Sequence, residues 1–144
     1  MARYRTTIES TKSPTEAFEY LADFANAKEW DPGVEEGEHL TSAPLRQGSR
    51  FRLVARFLGR RVPLEYEITA FEPGRRVVFE AADAMVRSVD EIRFTGAGTG
   101  TSVTYDADLR VNGPFGRLVD PLLGLAFRRI GDRAAAGLRK ALNG

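Results

Sequence analysis

Hydrophobic and polar residues alternate over the first ten positions, with Tyr4, Thr6 and Ile8 set against Arg3, Arg5 and Glu9, and this predicts a strand over 3–10. Ser13-Pro14-Thr15-Glu16 then places a capping serine, a proline at the first helical position and a glutamate three residues after the cap. Together these satisfy otherwise orphaned N–H groups and start a helix at Pro14. Ala17, Phe18, Leu21, Ala22 and Ala25 recur at helical spacing, and Tyr20 and Phe24 widen the stripe, so the helix is expected to run to near Asn26. A short second turn spans Ala27 to Trp30 and stops at Asp31-Pro32-Gly33.

From Val34 to Val111 the period changes to two. Six strands are predicted, over 34–41, 49–58, 61–71, 75–82, 85–95 and 101–111, separated by turn chemistry such as Leu58-Gly59-Arg60 and Glu72-Pro73-Gly74. Connections this short make successive strands antiparallel neighbours. After Asn112-Gly113-Pro114, apolar residues return to helical spacing as far as Leu142. Pro121 either kinks that long helix or follows its true start at Asp120.

Strand parity then fixes the architecture. Phe51, Leu53, Ala55 and Phe57 face away from Arg50, Arg52 and Arg56; Val62, Leu64, Tyr66 and Ile68 are split in the same way from Glu65 and Glu67, and Val103, Tyr105, Ala107 and Leu109 from Ser102, Thr104, Asp106 and Asp108. A sheet of about seven strands with one apolar face needs a cover, and one long helix plus two short ones is all the chain provides. The expected fold is therefore α+β: a seven-stranded curved antiparallel sheet around a long C-terminal helix, with two short helices between strands 1 and 2, in one domain over 1–144. The helix touches only part of the concave face, so geometry allows a cavity between them.

Composition narrows the function classes. The 144 residues carry 21 Lys plus Arg against 20 Asp plus Glu, a net charge of +1, so no global field steers the chain to nucleic acid. The basic residues of the last third, such as Arg128, Arg129, Arg133 and Arg139, read as a solvated helix face. With no cysteine there are no disulfides, thiol nucleophiles or thiolate metal sites. No apolar run reaches the ~20 residues of a membrane span. The first residues lack the apolar stretch of a secretory signal, and a cytoplasmic location is expected. His39 is the only histidine and falls on a strand expected to be exposed, so neither a metal site nor a Ser/His/Asp arrangement is expected. Gly96 to Gly100 has the glycine content of a phosphate loop but precedes a strand, and it reads as a hairpin turn.

The order of strand, two short helices, six-strand meander and long helix resembles the START and Bet v 1-like superfamily, and within it the bacterial polyketide cyclase/dehydrase and lipid-transport branch. The residues that carry the resemblance are Ser13-Pro14-Thr15-Glu16-Ala17-Phe18, Phe24 through Val34, Gly48-Ser49-Arg50-Phe51, and Gly100-Thr101-Ser102-Val103-Thr104-Tyr105, spread over nearly the whole chain. The resemblance implies the helix-grip fold and a pocket for sterols, lipids, polyketides or hormones, and that a minority of members catalyse cyclisation or dehydration; no cofactor is expected.

Parity and helix face nominate Phe51, Leu53, Phe57, Tyr66, Phe79, Tyr105, Leu118 and Leu122 as pocket lining, joined by Phe24, and each reads equally well as plain core. Trp30, the only tryptophan, reads as a core anchor or a ligand contact at the pocket mouth. In the irregular strand 85–95, an inward Ile92 and Phe94 bring Ser88 and Asp90 inward too, unless a bulge or twist takes Asp90 to solvent. An inward Asp90 needs a partner, from Arg129, Arg133 or a ligand. Three functions follow. A carrier or sensor of a small hydrophobic molecule needs an apolar cavity. A cyclase or dehydratase using Tyr66, Tyr105, Asp90 or an arginine needs a polar pair within ~3 Å inside it. A protein-interaction or toxin–antitoxin-type regulatory module needs an exposed apolar patch around Leu123, Leu125 and Phe127. A homodimer is left open as a further partner.

Overall fold

The computed structural model describes residues 2–57, 59–83, 86–111 and 116–144, with side chains for all of these except 116–123. The chain runs β1 (Ala2–Ser10), α1 (Pro14–Ala22), a 3-10 turn (Phe24–Asn26), α2 (Ala27–Trp30), β2 (Val34–His39), β3 (Arg50–Phe57), β4 (Arg60–Glu72), β5 (Arg76–Ala82), β6 (Val86–Ala97), β7 (Gly100–Val111) and α3 (Gly116–Asn143). All pairings are antiparallel. Strands β2 to β7 form a meander, and β1 adds to the free edge of β7, giving the order β1-β7-β6-β5-β4-β3-β2. This is the α+β helix-grip architecture that parity and turn chemistry predict.

Two local departures matter. The first helix stops at Ala22, before Asn26, because Asp23 takes an extended conformation and caps the following turn through Ala25 N–H at 3.2 Å. The break swings Phe24 onto the sheet, where its ring stacks on Phe79 at 4.0 Å. In β4 the register shifts between Ile68 and Ala70. A bulge of this kind reverses side-chain parity, so both Ile68 and Phe71 pack inward, Phe71 edge-on to Phe18 of α1 at 5.3 Å.

The helix start at Pro14 stands as predicted: Ser13 Oγ accepts Glu16 N–H and donates to the Glu16 carboxylate. The convex face is laced with exposed ion pairs, among them Arg56 and Arg61 with Glu35, Arg76 with Glu91, and Arg87 with Glu80. Pairs this open to solvent are screened and add little to stability. The even charge balance is therefore spent locally, arginine against carboxylate, across neighbouring strands.

Helix α3 continues through Pro121 and covers 28 residues, about 42 Å at ~1.5 Å per residue. Its C-terminal half is fixed tightly. Ser10 Oγ donates to Leu142 O at 3.0 Å, and Asn143 bonds Thr11 N–H and Glu9 O. Two glycines let neighbours reach the helix backbone: a Cβ on Gly131 would run into the Tyr4 ring, and one on Gly137 would run into the Trp30 carbonyl oxygen. The helix is thus held between β1 and α2, at a distance set by these missing methyl groups. Gly137→Ala should lower the unfolding free energy by about 2 kcal/mol, within the ~1–3 kcal/mol typical of overpacking. Gly124→Ala, whose Cβ meets nothing within 4 Å, should raise it by up to about 1 kcal/mol through helix propensity. Urea melts that give the two variants the same sign would contradict the clasp.

Candidate functional site

Where α3 leaves the sheet, a cavity of about 200 Å³ remains between the helix and the concave face. That is far beyond the ~10–15 Å³ needed for one water, so it is not a packing defect. Carbon dominates its wall: β3 contributes Leu53 and Phe57, β4 contributes Leu64, β7 contributes Leu109, and α3 contributes Phe127 and Ile130. Trp30 closes one side, its ring edge-on to Tyr105 at 5.6 Å.

One stretch of the wall is polar. Residues Ser88 and Asp90 stand two apart on β6 and so share its inner face. Both are buried, so the bulge that would carry Asp90 to solvent does not occur. Tyr105 is diagonal to Asp90 on β7, since Asp90 pairs with Ala107. Its hydroxyl donates a hydrogen bond to Asp90 Oδ2. Ser88 Oγ donates to Asp90 Oδ1 at 3.3 Å and accepts from Tyr66 Oη at 2.9 Å. Tyr66 reaches Ser88 from two strands away because the β5 residue opposite Ser88 is Ala81, whose methyl leaves the path clear. Asp90 therefore finds its partners in the sheet and not on the helix, where Arg129 and Arg133 are exposed.

Burial pushes the Asp90 carboxyl up to about 6, against the opposing pull of the Tyr105 and Ser88 hydrogen bonds. Burial also raises the Tyr66 and Tyr105 hydroxyls, and the Asp90 charge adds to both. A second acid stands on the wall: Asp31, also pushed up to about 6 by burial although its carboxylate accepts Gly33 N–H at 2.8 Å. The sequence presents Asp31 as a turn residue between Trp30 and Pro32, and that role conceals its position on the cavity.

The structure brings Phe24, Trp30, Leu53, Phe57, Tyr66, Asp90 and Tyr105 to the cavity wall. Phe51 and Phe79 are not on it. Phe24 lies over both rings, stacked on Phe79 and edge-on to Phe51 at 6.4 Å, and the two are fully buried core beneath the 3-10 turn. The side chains of Leu118 and Leu122 lie outside the described residues, as does that of Leu123. Leu125 is 67% exposed, but Phe127 turns into the cavity, so these two form no continuous apolar patch. His39, half-exposed as expected, bonds Asp23 at 2.7 Å and so ties β2 to the helix break. No described helix is long and apolar enough to cross a membrane.

The family described as polyketide cyclase / dehydrase and lipid transport matches over residues 1–143. No curated protein matches the chain. A crystal structure of a Thermus thermophilus protein superposes with a TM-score of 0.78 at 21% identity, over 98% of this chain and 95% of that one. A START superfamily protein from Mycobacterium smegmatis gives 0.77 at 16% identity over 99% and 97% of the two chains. The Zhui aromatase/cyclase from Streptomyces sp. R1128 gives 0.74 at 17% over 97% and 92%. At these identities the likeness is one of fold.

The raised carboxyls have a consequence for stability. A carboxyl that holds its proton more tightly when folded favours the folded state at low pH, and this contribution is lost as pH climbs from about 4 through about 6. Asp90→Asn removes one of the two acids. Between pH ~5 and pH ~8 its melting temperature should shift in its favour, relative to the unsubstituted protein, by roughly 3 °C or more, as expected for ~1 kcal/mol or more in a chain of this size. A difference that is flat with pH, or that moves the other way, would show that Asp90 is comfortably ionised in the fold.

Proposed function

Because the chain belongs to the polyketide cyclase/dehydrase and lipid-transport family, we propose that it binds a small hydrophobic molecule in the cavity between the sheet and α3. The observation that carries this reading is the cavity itself: about 200 Å³ left open between the sheet and α3, walled mainly by carbon. Apolar walls supply affinity by taking ligand surface out of water, at roughly 25 cal/mol per Å². The polar patch at Asp90 supplies orientation. Trp30 is on the wall and is the only tryptophan, so its fluorescence reports occupancy. Native mass spectrometry of the purified protein should show a bound species, and Ala107→Phe, which fills the cavity from β7, should abolish it while leaving the circular dichroism unchanged. Failure to find any bound species, with Trp30 emission unmoved by a lipid extract, would remove the carrier reading.

A second reading is favoured by one observation. A buried carboxyl held near pH 6 lies on the cavity wall within hydrogen-bond reach of Tyr105 and Ser88, which meets the requirement of cyclase or dehydratase chemistry for a polar pair inside the pocket. Such a carboxylate can take a proton from a carbon next to a ketone near neutral pH. On this reading a poly-β-ketone thioester is consumed, and Asp90→Asn slows its conversion by about 100-fold or more. Equal conversion by Asp90→Asn, or none above the uncatalysed rate by the unsubstituted protein, would leave binding as the function.

A further inference from the structure

Counting hydrogens at the polar patch says what kind of molecule fits it. Tyr66, Ser88 and Tyr105 have one hydroxyl hydrogen each. Tyr66 gives its hydrogen to Ser88, Ser88 gives its own to Asp90, and Tyr105 gives its own to the other Asp90 oxygen. All three donors are spent inside the network. Lone pairs remain on the two phenol oxygens and on the Asp90 carboxylate, while the other side-chain donors of the wall, the Thr6 hydroxyl and the Trp30 indole N–H, lie outside this network. The second acid, Asp31, spends one interaction on Gly33 N–H and adds a second negative charge to the same wall.

Nothing cationic among the described lining residues offsets these acids. Among the described lining residues Arg56 is the one basic side chain, and its guanidinium is bound to Glu35 at 2.7 Å. Arg128, Arg129 and Arg133 of α3 are exposed. Asp132 accepts from Tyr4 Oη at 2.7 Å on the exposed surface, and Asp106, next to Tyr105, is held by Arg3 on the convex face.

Resting on the binding reading, we propose that the Asp90–Ser88–Tyr66–Tyr105 patch selects hydrophobic molecules that bring their own hydrogen-bond donor, a hydroxyl or an ammonium group, and rejects carboxylates of the same shape. A ligand donor fills a waiting lone pair beside apolar walls, and an ammonium is also attracted by two carboxylates. A ligand that offers only acceptors leaves a buried polar group unpaired, and a ligand carboxylate meets like charge as well.

The test is a matched panel by isothermal titration calorimetry at pH ~8, above the range of both raised carboxyls: naphthol, naphthylmethylamine, methoxynaphthalene and naphthoate, each substituted at the same ring carbon. The ring is common to all four, so differences report the polar end. Naphthol and naphthylmethylamine should bind about tenfold or more tighter than methoxynaphthalene, the size of one hydrogen bond of ~1.4 kcal/mol, and naphthoate should bind weakest. Asp90→Asn, which supplies donors from its amide, should narrow the gap between naphthol and naphthoate by about tenfold or more. The ranking on the unsubstituted protein decides the matter even if the variant fails to fold. Naphthoate binding as tightly as naphthol, or an unchanged ranking in folded Asp90→Asn, overturns the selectivity while leaving the binding reading intact. Failure of all four probes to bind removes the binding reading, and the selectivity with it.

Discussion

One helix, about 10 Å across, has to cover the apolar face of a seven-stranded sheet roughly 30 Å wide at ~4.8 Å per strand. The mismatch organises the molecule. The sheet curls toward the helix, α1 brings Phe18 against Phe71 and Phe94, and Phe24 swings in from the 3-10 turn to seal the region over Phe51 and Phe79. What these cannot reach stays open as the cavity. The helix is prevented from sinking further by its attachments: Tyr4 over Gly131 and the Trp30 carbonyl against Gly137 fix its distance from β1 and α2.

The cavity then makes a carboxylate tolerable where a filled core would not. Asp90 is buried with no cation beside it among the described lining residues, and its hydrogen bonds come from neutral hydroxyls. Such a group costs stability when ionised, and nothing in the packing of β6 demands it: Ile92 and Phe94 on the same face do the work of the core. The Asp90 carboxyl faces the open space of the cavity and not a packed neighbour.

Most of the fold was legible because the signals that build it are local. Ser13-Pro14 sets the start of a helix, alternation sets which side chains point in, and glycine-containing turns set antiparallel neighbours. What was illegible depended on register and on contacts between elements. The parity of β3 and β5 placed Phe51 and Phe79 on the concave face correctly, but only the break at Asp23, which delivers Phe24 on top of them, turns them from wall into core. For Asp90 the alternation allowed two outcomes, inward and needing a partner or carried to solvent by a bulge, and the regular β6 pairing makes it inward. Its partners could not be read, because Tyr105 and Ser88 become neighbours through strand register while the helix arginines turn outward. Asp31 went unnoticed as an acid of the site since a turn-forming aspartate looks the same whether its free oxygen faces water or a cavity.

The pairing of β1 with β7 places Thr6 opposite Tyr105, and the end of α3 is tied back to Ser10 and Thr11. These contacts join opposite ends of the sequence, and forming them requires closure of the longest loops in the chain, which slows folding. A ribosome delivers β1 first, yet that strand has no sheet edge to join until β7 has emerged, and the cavity has no roof until α3 follows. The meander of β2 to β7 can zip up in order of synthesis. The cavity is therefore completed only when α3 docks, and a chain interrupted before α3 would present the apolar concave face, with Asp90 on it, directly to water.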